Sequence, residues 1–385
     1  MGSDFDQFTM YGGRVKCNVA DDGTINAFYG DNNYTEDGSN GQVMIYQPKF
    51  YYLRTPYHTE NLARGKVIRH ESLMLSADAQ SGFKLAPVFE GDLEYVLLPA
   101  YDASINANKL ASVAGALPVS NLTIAEAEAY ANARGNGWHI VNIAAESTNQ
   151  MLEIVEFGMM NGQTALGQGI VNNPGNSQNC YFITGSTASF GNGSGQATST
   201  QVNINGNVTT QTEAGKLAIT YRGMENPWGN LWQMIGGINI YGNGALGAGA
   251  PYICTDFNYT PTAIGSNYED VGFNLPYAYK WVSALGLGNT KYDWVFLPAE
   301  CASTATSLLP IGDGIWSVNY LNGMNILASG GSYGFGDECG PFYYAADRNM
   351  GDSSRSNYGV KLMFIPTKNS IYEANIAKWT AHMGG

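Results

Sequence analysis

Charge is the property that this sequence has least of. Only 13% of its residues are Asp, Glu, Lys or Arg, about half the usual share in a globular domain. The 19 Lys and Arg residues stand against 32 Asp and Glu residues, which gives a net charge of −13. Nucleic acid is therefore not expected as a partner, because its phosphates need clustered cations. A helical bundle, whose outer faces carry many charges, is disfavoured as well.

Cysteine and histidine are also too sparse to build a metal site or a disulfide framework. No CxxC pair and no HxxxH or HExxH spacing occurs, and the number of cysteines is odd. The cysteines are Cys17, Cys180, Cys254, Cys301 and Cys339. We therefore predict no metal and no cofactor, and production in a reducing compartment.

Long apolar runs are missing too. No stretch has the roughly 20 apolar residues that a membrane helix needs, and the first residues show no signal-peptide pattern. We expect no membrane insertion. The opening Met-Gly-Ser resembles an expression leader or a trimmed start, which could hide an upstream region.

The sequence does contain strand patterns, and two helical ones. "QVMIYQPKFYYLR", "KVIRHESLMLS" and "LEYVLLPAY" are rich in β-branched and aromatic residues and predict strands. Thr123 and Glu126 have the spacing of a capping box, which predicts a helix near 123–134, and a second apolar helical face predicts another near 145–157. From residue 217 onward only short strand patterns occur, separated by long polar stretches that often carry function.

Three sequence motifs occur in this order along the chain: "ARGNGWHIVNIAAES", "YRGMENPWGNLWQMIGGINIY", and "GGSYG" followed by "CGPF" and "NYGVKLMF". Together they resemble the C-type-lectin-fold domains of phage tail receptor-binding proteins, including the variable proteins that are diversified by retroelements. The second motif is also similar to a block of the formylglycine-generating, sulfatase-modifying enzymes. The resemblance covers roughly residues 95–366, and the region before it is only weakly similar to the leaders of phage structural proteins.

The resemblance implies an α+β fold: a C-type lectin fold with two helices, a small twisted antiparallel sheet and long loops. By this analogy less than about a third of the residues should lie in regular structure. Residues 1–94 would form a β-rich N-terminal elaboration, and residues 95–385 the ligand-binding domain. The implied function is that of a non-enzymatic adhesin in the phage virion, made in the host cytoplasm. Its partners would be a glycan or protein receptor on the host surface and other tail proteins, and it would form a homo-oligomer, perhaps a trimer.

The resemblance also implies where the ligand binds. In the family, the segment Gly330–Leu362 forms the binding surface on a scaffold that here corresponds to Gly330, Gly331, Gly340, Phe342, Gly359 and Leu362. The ligand-facing positions between them hold Tyr333, Phe335, Asp337, Glu338, Tyr343, Tyr344, Asp347, Arg348, Asp352 and Arg355, with Trp316 at the edge. Rigid aromatic residues among small polar ones are typical of binding surfaces. Of the two adjacent tyrosines, we expect Tyr343 to point outward.

Other residues have structural interpretations. Trp228 and Trp232 are expected in the core, and Arg222, Glu225 and Asn226 could brace the loop around them. A calcium site at Glu225 or Asn226 is less favoured, because no cluster of carboxylates accompanies them.

Enzymatic chemistry is not supported by the motifs. Asp337 and Glu338 are adjacent, so on a strand they would point to opposite faces, whereas glycoside hydrolysis needs two carboxylates that face one cleft. Cys301 and Cys339 lie too far apart in sequence for the copper-binding pair of the sulfatase-modifying enzymes, and no GxSxG motif occurs. A structural subunit of the virion or baseplate, or a sulfatase-modifying-like enzyme, remain the alternatives.

Overall fold

A computed structural model describes residues 3–173, 181–203, 205–242, 249–255, 264–317, 323–353 and 355–384. The fold is α+β and mostly sheet, with 38% strand and 17% helix. The expectation of less than a third in regular structure was therefore wrong. Part of this regular structure lies in the polar stretches; for example, residues 199–202 pair with residues 208–211 as a hairpin.

The helices are α1 Thr9–Gly12, α2 Ile124–Asn132, α3 Ile143–Phe157, α4 Gly162–Leu166 and α5 Ser370–Met383. The strands are β1 Val15–Val19, β2 Ile25–Phe28, β3 Gln42–Pro48, β4 Tyr51–Asn61, β5 Lys66–Ser76, β6 Lys84–Leu85, β7 Tyr95–Pro99, β8 Ser104–Asn106, β9 Lys109–Ala111, β10 Trp138–Ile140, β11 Tyr181–Phe182, β12 Gly195–Ala197, β13 Ser199–Val202, β14 Val208–Gln211, β15 Ala218–Tyr221, β16 Met224–Glu225, β17 Trp232–Gly242, β18 Gly249–Cys254, β19 Tyr268–Asp270, β20 Tyr279–Leu287, β21 Pro298–Cys301, β22 Gly314–Trp316, β23 Gly323–Ser329, β24 Tyr344–Asn349, β25 Tyr358–Gly359 and β26 Leu362–Phe364.

Both predicted helices are confirmed, with small shifts at their ends. Helix α2 begins at the expected capping box, in which the Glu126 amide donates to Thr123 Oγ1 at 3.1 Å and the Thr123 amide donates to the Glu126 carboxylate at 2.8 Å. Helix α3 begins at Asn142, whose side chain accepts from the Ala145 amide, and ends at Gly158 in the left-handed conformation.

Helix α5 was not predicted, because its apolar residues form only a weak amphipathic pattern. It is held by aromatic stacking on the sheet below it. The Trp379 ring lies 5.1 Å from that of Tyr46, and the Tyr372 ring lies 5.2 Å from that of Tyr95. Tertiary packing thus supplies what the local pattern lacks.

A six-stranded antiparallel sheet contains strands from both ends of the chain, in the order β10-β26-β7-β3-β1-β2. The boundary expected between residues 94 and 95 falls inside this sheet, since β3 pairs with β7 and Ile45 lies opposite Leu98. The N-terminal segment and the rest of the chain therefore share one hydrophobic core.

The second large sheet has twelve strands, ten of them in the order β19-β18-β17-β23-β24-β22-β20-β5-β4-β6. It is larger than the small sheet we expected, because the long hairpin of β4 and β5 from the N-terminal segment adds to β20. Neighbours along this path are antiparallel except β22 and β24, which run parallel. The short strand β22 lies between β20 and β24, and this is where the candidate site is built.

The burial of the tryptophan pair is confirmed, as are the bracing contacts of Glu225 and Arg222, whereas Asn226 Oδ1 has no hydrogen-bond partner among the described residues. Trp228 and Trp232 are fully buried. The buried Glu225 carboxylate accepts from the Gly185 amide at 2.9 Å and from the Thr187 amide and hydroxyl at 2.8 Å. Arg222 forms an ion pair with Glu156 at 2.7 Å. These charge-assisted bonds fix the loop that carries the tryptophans.

Candidate ligand-binding surface

The segment Gly330–Leu362 is mostly packed into the protein. Tyr343 and Tyr344 have exposed fractions of 0%, and Tyr333 of 5%. The expectation that Tyr343 points outward was wrong, and Tyr333 and Tyr344 do not face solvent either. Strand β24 begins at Tyr344 and lies between β23 and β22. Alternation exposes neither tyrosine, because Tyr344 reaches α3 while Tyr343 packs on Trp232.

Each buried tyrosine has a specific place in the core. The Tyr343 ring packs on Trp232 with centroids 4.6 Å apart. The Tyr344 hydroxyl accepts from the Gln150 side chain on α3 at 2.7 Å. Tyr333 belongs to a small second cluster with Ile170, Phe182, Ala218 and Leu231. The aromatic mass of this glycine-rich segment therefore serves largely as core.

Two glycines of the expected scaffold allow this packing. Gly331 has φ of +79°, and a Cβ atom there would lie 2.4 Å from the Cys339 sulfur and 2.8 Å from the Tyr343 ring. A Cβ atom on Gly340 would lie 2.2 Å from a carboxylate oxygen of Asp313. Only residues without a side chain let the backbone approach this closely.

Four of the charged residues expected to face a ligand pair with one another instead. Asp347 is buried, pairs with Arg348 at 2.9 Å and accepts from the Tyr358 hydroxyl at 3.3 Å. Its burial raises the pKa of the Asp347 carboxyl. Asp352 lies 3.8 Å from Arg348 and 3.7 Å from Arg355. The network stabilises the turn after β24, with the two arginines only partly exposed.

A part of the aromatic cluster does reach solvent, and we call it the aromatic surface: Tyr279, Trp316, Phe335, Asp337 and Glu338. Tyr279 is 48% exposed, and the Trp316 and Phe335 rings are half-buried. The centroids of Tyr279 and Trp316 are 4.5 Å apart, and those of Trp316 and Phe335 are 5.5 Å apart. Phe335 in turn packs on the buried Trp232 and Tyr343, so the exposed rings rest on a rigid core.

Strand register brings these rings together. On β20 and β22, Tyr279 lies opposite Trp316 and Trp281 lies opposite Gly314, so all four positions share one face of the sheet. Gly314 leaves room on this face, because a Cβ atom there would lie 3.1 Å from the Tyr343 ring and 3.2 Å from Cβ of Glu338. The loop that carries Phe335 and the 3-10 helix Gly336–Glu338 can therefore close over the sheet.

Glu338 is the fixed polar group of the aromatic surface. Its carboxylate accepts from the Tyr343 hydroxyl at 2.8 Å and also from the Tyr279 hydroxyl. Burial, together with the nearby Glu338, raises the pKa of Tyr279 to about 12, so its hydroxyl keeps the proton that it donates. Partial burial raises the pKa of Glu338 itself. Asp337 beside it is exposed.

Cations are absent from this part of the chain. The sequence has no Lys or Arg between Lys291 and Arg348. Lys280 follows Tyr279 on β20, and alternation places it on the other face of the sheet, where it lies near Cys301. The polar groups of the aromatic surface are therefore negatively charged hydrogen-bond acceptors.

Sequence reasoning missed Tyr279 and its strand neighbours. The signal was present in "PYAYKW", where Tyr277, Tyr279 and Trp281 alternate with other residues, as on one face of a strand. Of the expected ligand-facing residues, the structure brings Trp316, Phe335, Asp337 and Glu338 together at the surface.

The described residues include no cluster of three or more His, Cys, Asp or Glu side chains that could hold a metal ion. Four cysteines are free thiols, while Cys180 lies outside the described residues. Cys339 is fully buried, its sulfur donates to the Ser332 carbonyl at 3.6 Å, and burial raises the pKa of its thiol. It is therefore held as a protonated core residue.

Cavities also open elsewhere among the described residues. One of about 550 Å³ is lined by Lys291, Glu269 and Trp294 among others. A second, of about 660 Å³, lies between the end of α3 and Leu308–Ile311. The third, of about 590 Å³, lies beside Arg134 and the start of α5. No residue of the aromatic surface lines any of these cavities.

No protein-family model matches the chain, and comparison with curated proteins yields no significant match. No helix within the described ranges is long and apolar enough to cross a membrane. What the protein does must therefore be inferred from the site itself.

Proposed function

We propose that this protein is a non-enzymatic receptor-binding protein, an adhesin of a phage tail, that attaches to a host surface through the aromatic surface. The observation that carries the proposal is the partly exposed set of Tyr279, Trp316 and Phe335, supported from below by buried rings. Rigid aromatic side chains provide contact area at a low cost in conformational entropy, as in known binding surfaces. The resemblance of the sequence to lectin-fold tail proteins supports the virion location and a C-type lectin fold for residues 95–385.

The chemistry of the carboxylates favours binding over catalysis. Glu338 is held by two tyrosine hydroxyls, and its sequence neighbour Asp337 is exposed on the same short 3-10 helix. A glycosidase needs two carboxylates on opposite sides of the scissile bond. The buried, protonated thiol of Cys339 likewise does not support the reactive cysteine pair of a sulfatase-modifying enzyme.

A second candidate, a structural subunit of the virion, is favoured by a different observation. Leu308 and Leu309 are 65% and 68% exposed, and with Met159 they border the cavity of about 660 Å³. Adjacent exposed apolar residues often mark contacts with another protein chain. This patch fits the homo-oligomer, most simply a trimer, or the neighbouring tail protein that the resemblance implies.

Cell binding tests the proposed function. Fluorescently labelled protein would be incubated with a panel of bacteria of diverse surface chemistry, and bound protein measured by flow cytometry. We expect Trp316→Ala and Phe335→Ala to reduce binding at least tenfold. The control is Trp294→Ala, which removes another half-buried tryptophan outside the aromatic surface. Equal binding by all three variants and the parent would refute the proposal.

Light scattering tests the structural candidate. The parent protein should be an oligomer at micromolar concentration, and the double variant Leu308→Ser, Leu309→Ser should dissociate to smaller species. A parent that is monomeric under these conditions would count against self-assembly through this patch. Cell binding lost in the Leu308 and Leu309 variant but kept in Trp316→Ala would place attachment away from the aromatic surface.

A further inference from the structure

We infer that the ligand of the aromatic surface is an uncharged saccharide, whose ring packs against Tyr279, Trp316 and Phe335 while its hydroxyls donate to Asp337 and Glu338. The inference rests on the proposed function and adds to it the chemical class of the receptor. Three observations carry it: the spacing of the rings, the sign of the local charge, and the hydrogen bonds already made by Glu338.

Ring spacing decides how a ligand can meet the aromatic side chains. A cage for an ammonium group must leave room for the cation between its walls. Here the centroids of Tyr279 and Trp316 are 4.5 Å apart, and those of Trp316 and Phe335 are 5.5 Å apart. These are distances at which rings contact each other directly. The ring planes differ by 47° and 86°, so the three side chains form a closely packed apolar patch with no gap for an inserted cation. The apolar face of a sugar ring can pack against such a patch.

The local charge excludes acidic ligands. Asp337 and Glu338 lie at the aromatic surface, and no Lys or Arg occurs in the sequence between Lys291 and Arg348. Arg348 and Arg355 are engaged by Asp347 and Asp352. Sialic acid, phosphate and sulfate groups would therefore approach negative charge with no counter-charge, which lowers their affinity.

The hydrogen bonds of Glu338 favour a neutral donor over a cation. Its carboxylate already accepts from the Tyr343 and Tyr279 hydroxyls, which disperse its charge and fix its orientation. A carboxylate has about four lone-pair positions, so further acceptor positions remain for sugar hydroxyls. The exposed Asp337 offers additional acceptors next to it. An oriented acceptor beside an apolar face is the arrangement that saccharide sites share with other small-molecule sites.

A glycan array that contains neutral, acidic and amino sugars tests the inference directly. We expect the bound glycans to be neutral, and the sialylated, sulfated or phosphorylated form of each to bind at least tenfold more weakly. Binding should change less than threefold between 0.05 and 0.5 M salt, since screening weakens only charged contacts. Mostly acidic or amino-sugar hits, or no hit at all, would overturn the inference.

Two variants separate hydrogen bonding from charge. Trp316→Ala should lose array binding at least tenfold, whereas Asp337→Asn, which keeps a carbonyl acceptor, should lose less than tenfold. If the true ligand is a cationic peptide, Asp337→Asn would reduce binding at least tenfold and salt would abolish it. Melting temperatures of both variants show whether each is folded when it is measured.

Treatment of bound cells distinguishes failure of this inference from failure of the proposed function. Periodate oxidation of bacterial glycans should abolish binding, and protease treatment should leave it intact. Binding that resists periodate but is lost after protease would mean a protein receptor, so the saccharide inference would be wrong while the adhesin proposal stands. Binding that survives in Trp316→Ala and Phe335→Ala would overturn both.

Discussion

Tyr333 and Phe335 stand two residues apart in the same glycine-rich loop, yet one is core and the other is surface. Tyr333 is 5% exposed and packs in a small apolar cluster, whereas Phe335 is half-buried and borders Trp316. The same contrast holds between Tyr343, which is fully buried, and Tyr279, which is 48% exposed. A high aromatic content therefore predicts that a segment is packed. Which of its rings remain exposed to a ligand depends on the elements that pack against the segment.

Substitution of the buried Tyr343 should have the largest effect on the free energy of unfolding. Tyr343→Ala removes a ring that contacts Trp232 and Phe335 and the hydroxyl that donates to Glu338. We expect a loss of about 3–5 kcal/mol in the free energy of unfolding, as for other large core truncations. Urea denaturation measures it. The control is Tyr57→Ala, since Tyr57 is 71% exposed, and its cost should stay within about 0.5 kcal/mol. Equal losses in the free energy of unfolding for Tyr343→Ala and Tyr57→Ala would contradict the burial of Tyr343.

A glycine pair tests whether the loop is shaped by close packing. Gly331→Ala places a Cβ atom 2.4 Å from the Cys339 sulfur at φ of +79°, whereas Gly336, at φ of +57°, has open space around it. We expect Gly336→Ala to cost about 1 kcal/mol through backbone strain alone, and Gly331→Ala to cost about 2–3 kcal/mol because overpacking is added. Thermal and urea unfolding of both variants provide the comparison. Similar costs would show that the loop yields easily around Cys339.

Substitution of Tyr333 and of Phe335 separates an effect on folding from an effect on binding. Phe335→Ala should weaken ligand binding by about thirtyfold, equivalent to about 2 kcal/mol at a hot spot. Tyr333→Ala should instead lower the free energy of unfolding while the folded fraction binds as the parent does. Binding measured below the melting temperature of each variant separates the two effects. If Tyr333→Ala proves to be the variant that loses binding while stable, the ligand contacts a rearranged loop.

Local sequence patterns predicted the helices and strands that depend on residues adjacent in sequence. The capping box at Thr123 and the apolar face of α3 define their helices directly, and "KVIRHESLMLS" coincides with β5. The exposure of Tyr343 depends instead on β22 and β24 becoming neighbours, which a single sequence does not encode locally. The same holds for the pairing of Asp347, Arg348, Asp352 and Arg355, which we expected to face a ligand. Tyr279 was missed because strand β20 was not recognised as part of the site.

Carboxylates also differ between core and surface. This difference predicts a smaller effect, on how the free energy of unfolding depends on pH. Glu153 on α3 is 3% exposed, its Oε2 atom has no hydrogen-bond partner among the described residues, and burial raises its pKa to about 8. Between its ordinary pKa near 4.5 and about 8, the folded state then binds more protons than the unfolded state. The contribution of protonated Glu153 to stability is therefore fully present below pH 4.5 and is lost as the pH rises through 8.

We therefore expect Glu153→Gln, which stays neutral, to flatten the fall in stability between pH 5 and pH 8, with a gain of about 1 kcal/mol over the parent at pH 8. Chemical denaturation at several pH values measures the slope. The control is Glu126→Gln at the exposed start of α2, where hydrogen bonds from Thr123 lower the pKa of Glu126. Its contribution is present above the ordinary pKa near 4.5 and is lost as the pH falls from there through the lowered pKa. That variant should lose part of its helix cap but keep the parent's slope above pH 5. A parent whose stability rises between pH 5 and pH 8, or a Glu153→Gln variant with an unchanged slope, would show that the core accepts the charged form of Glu153.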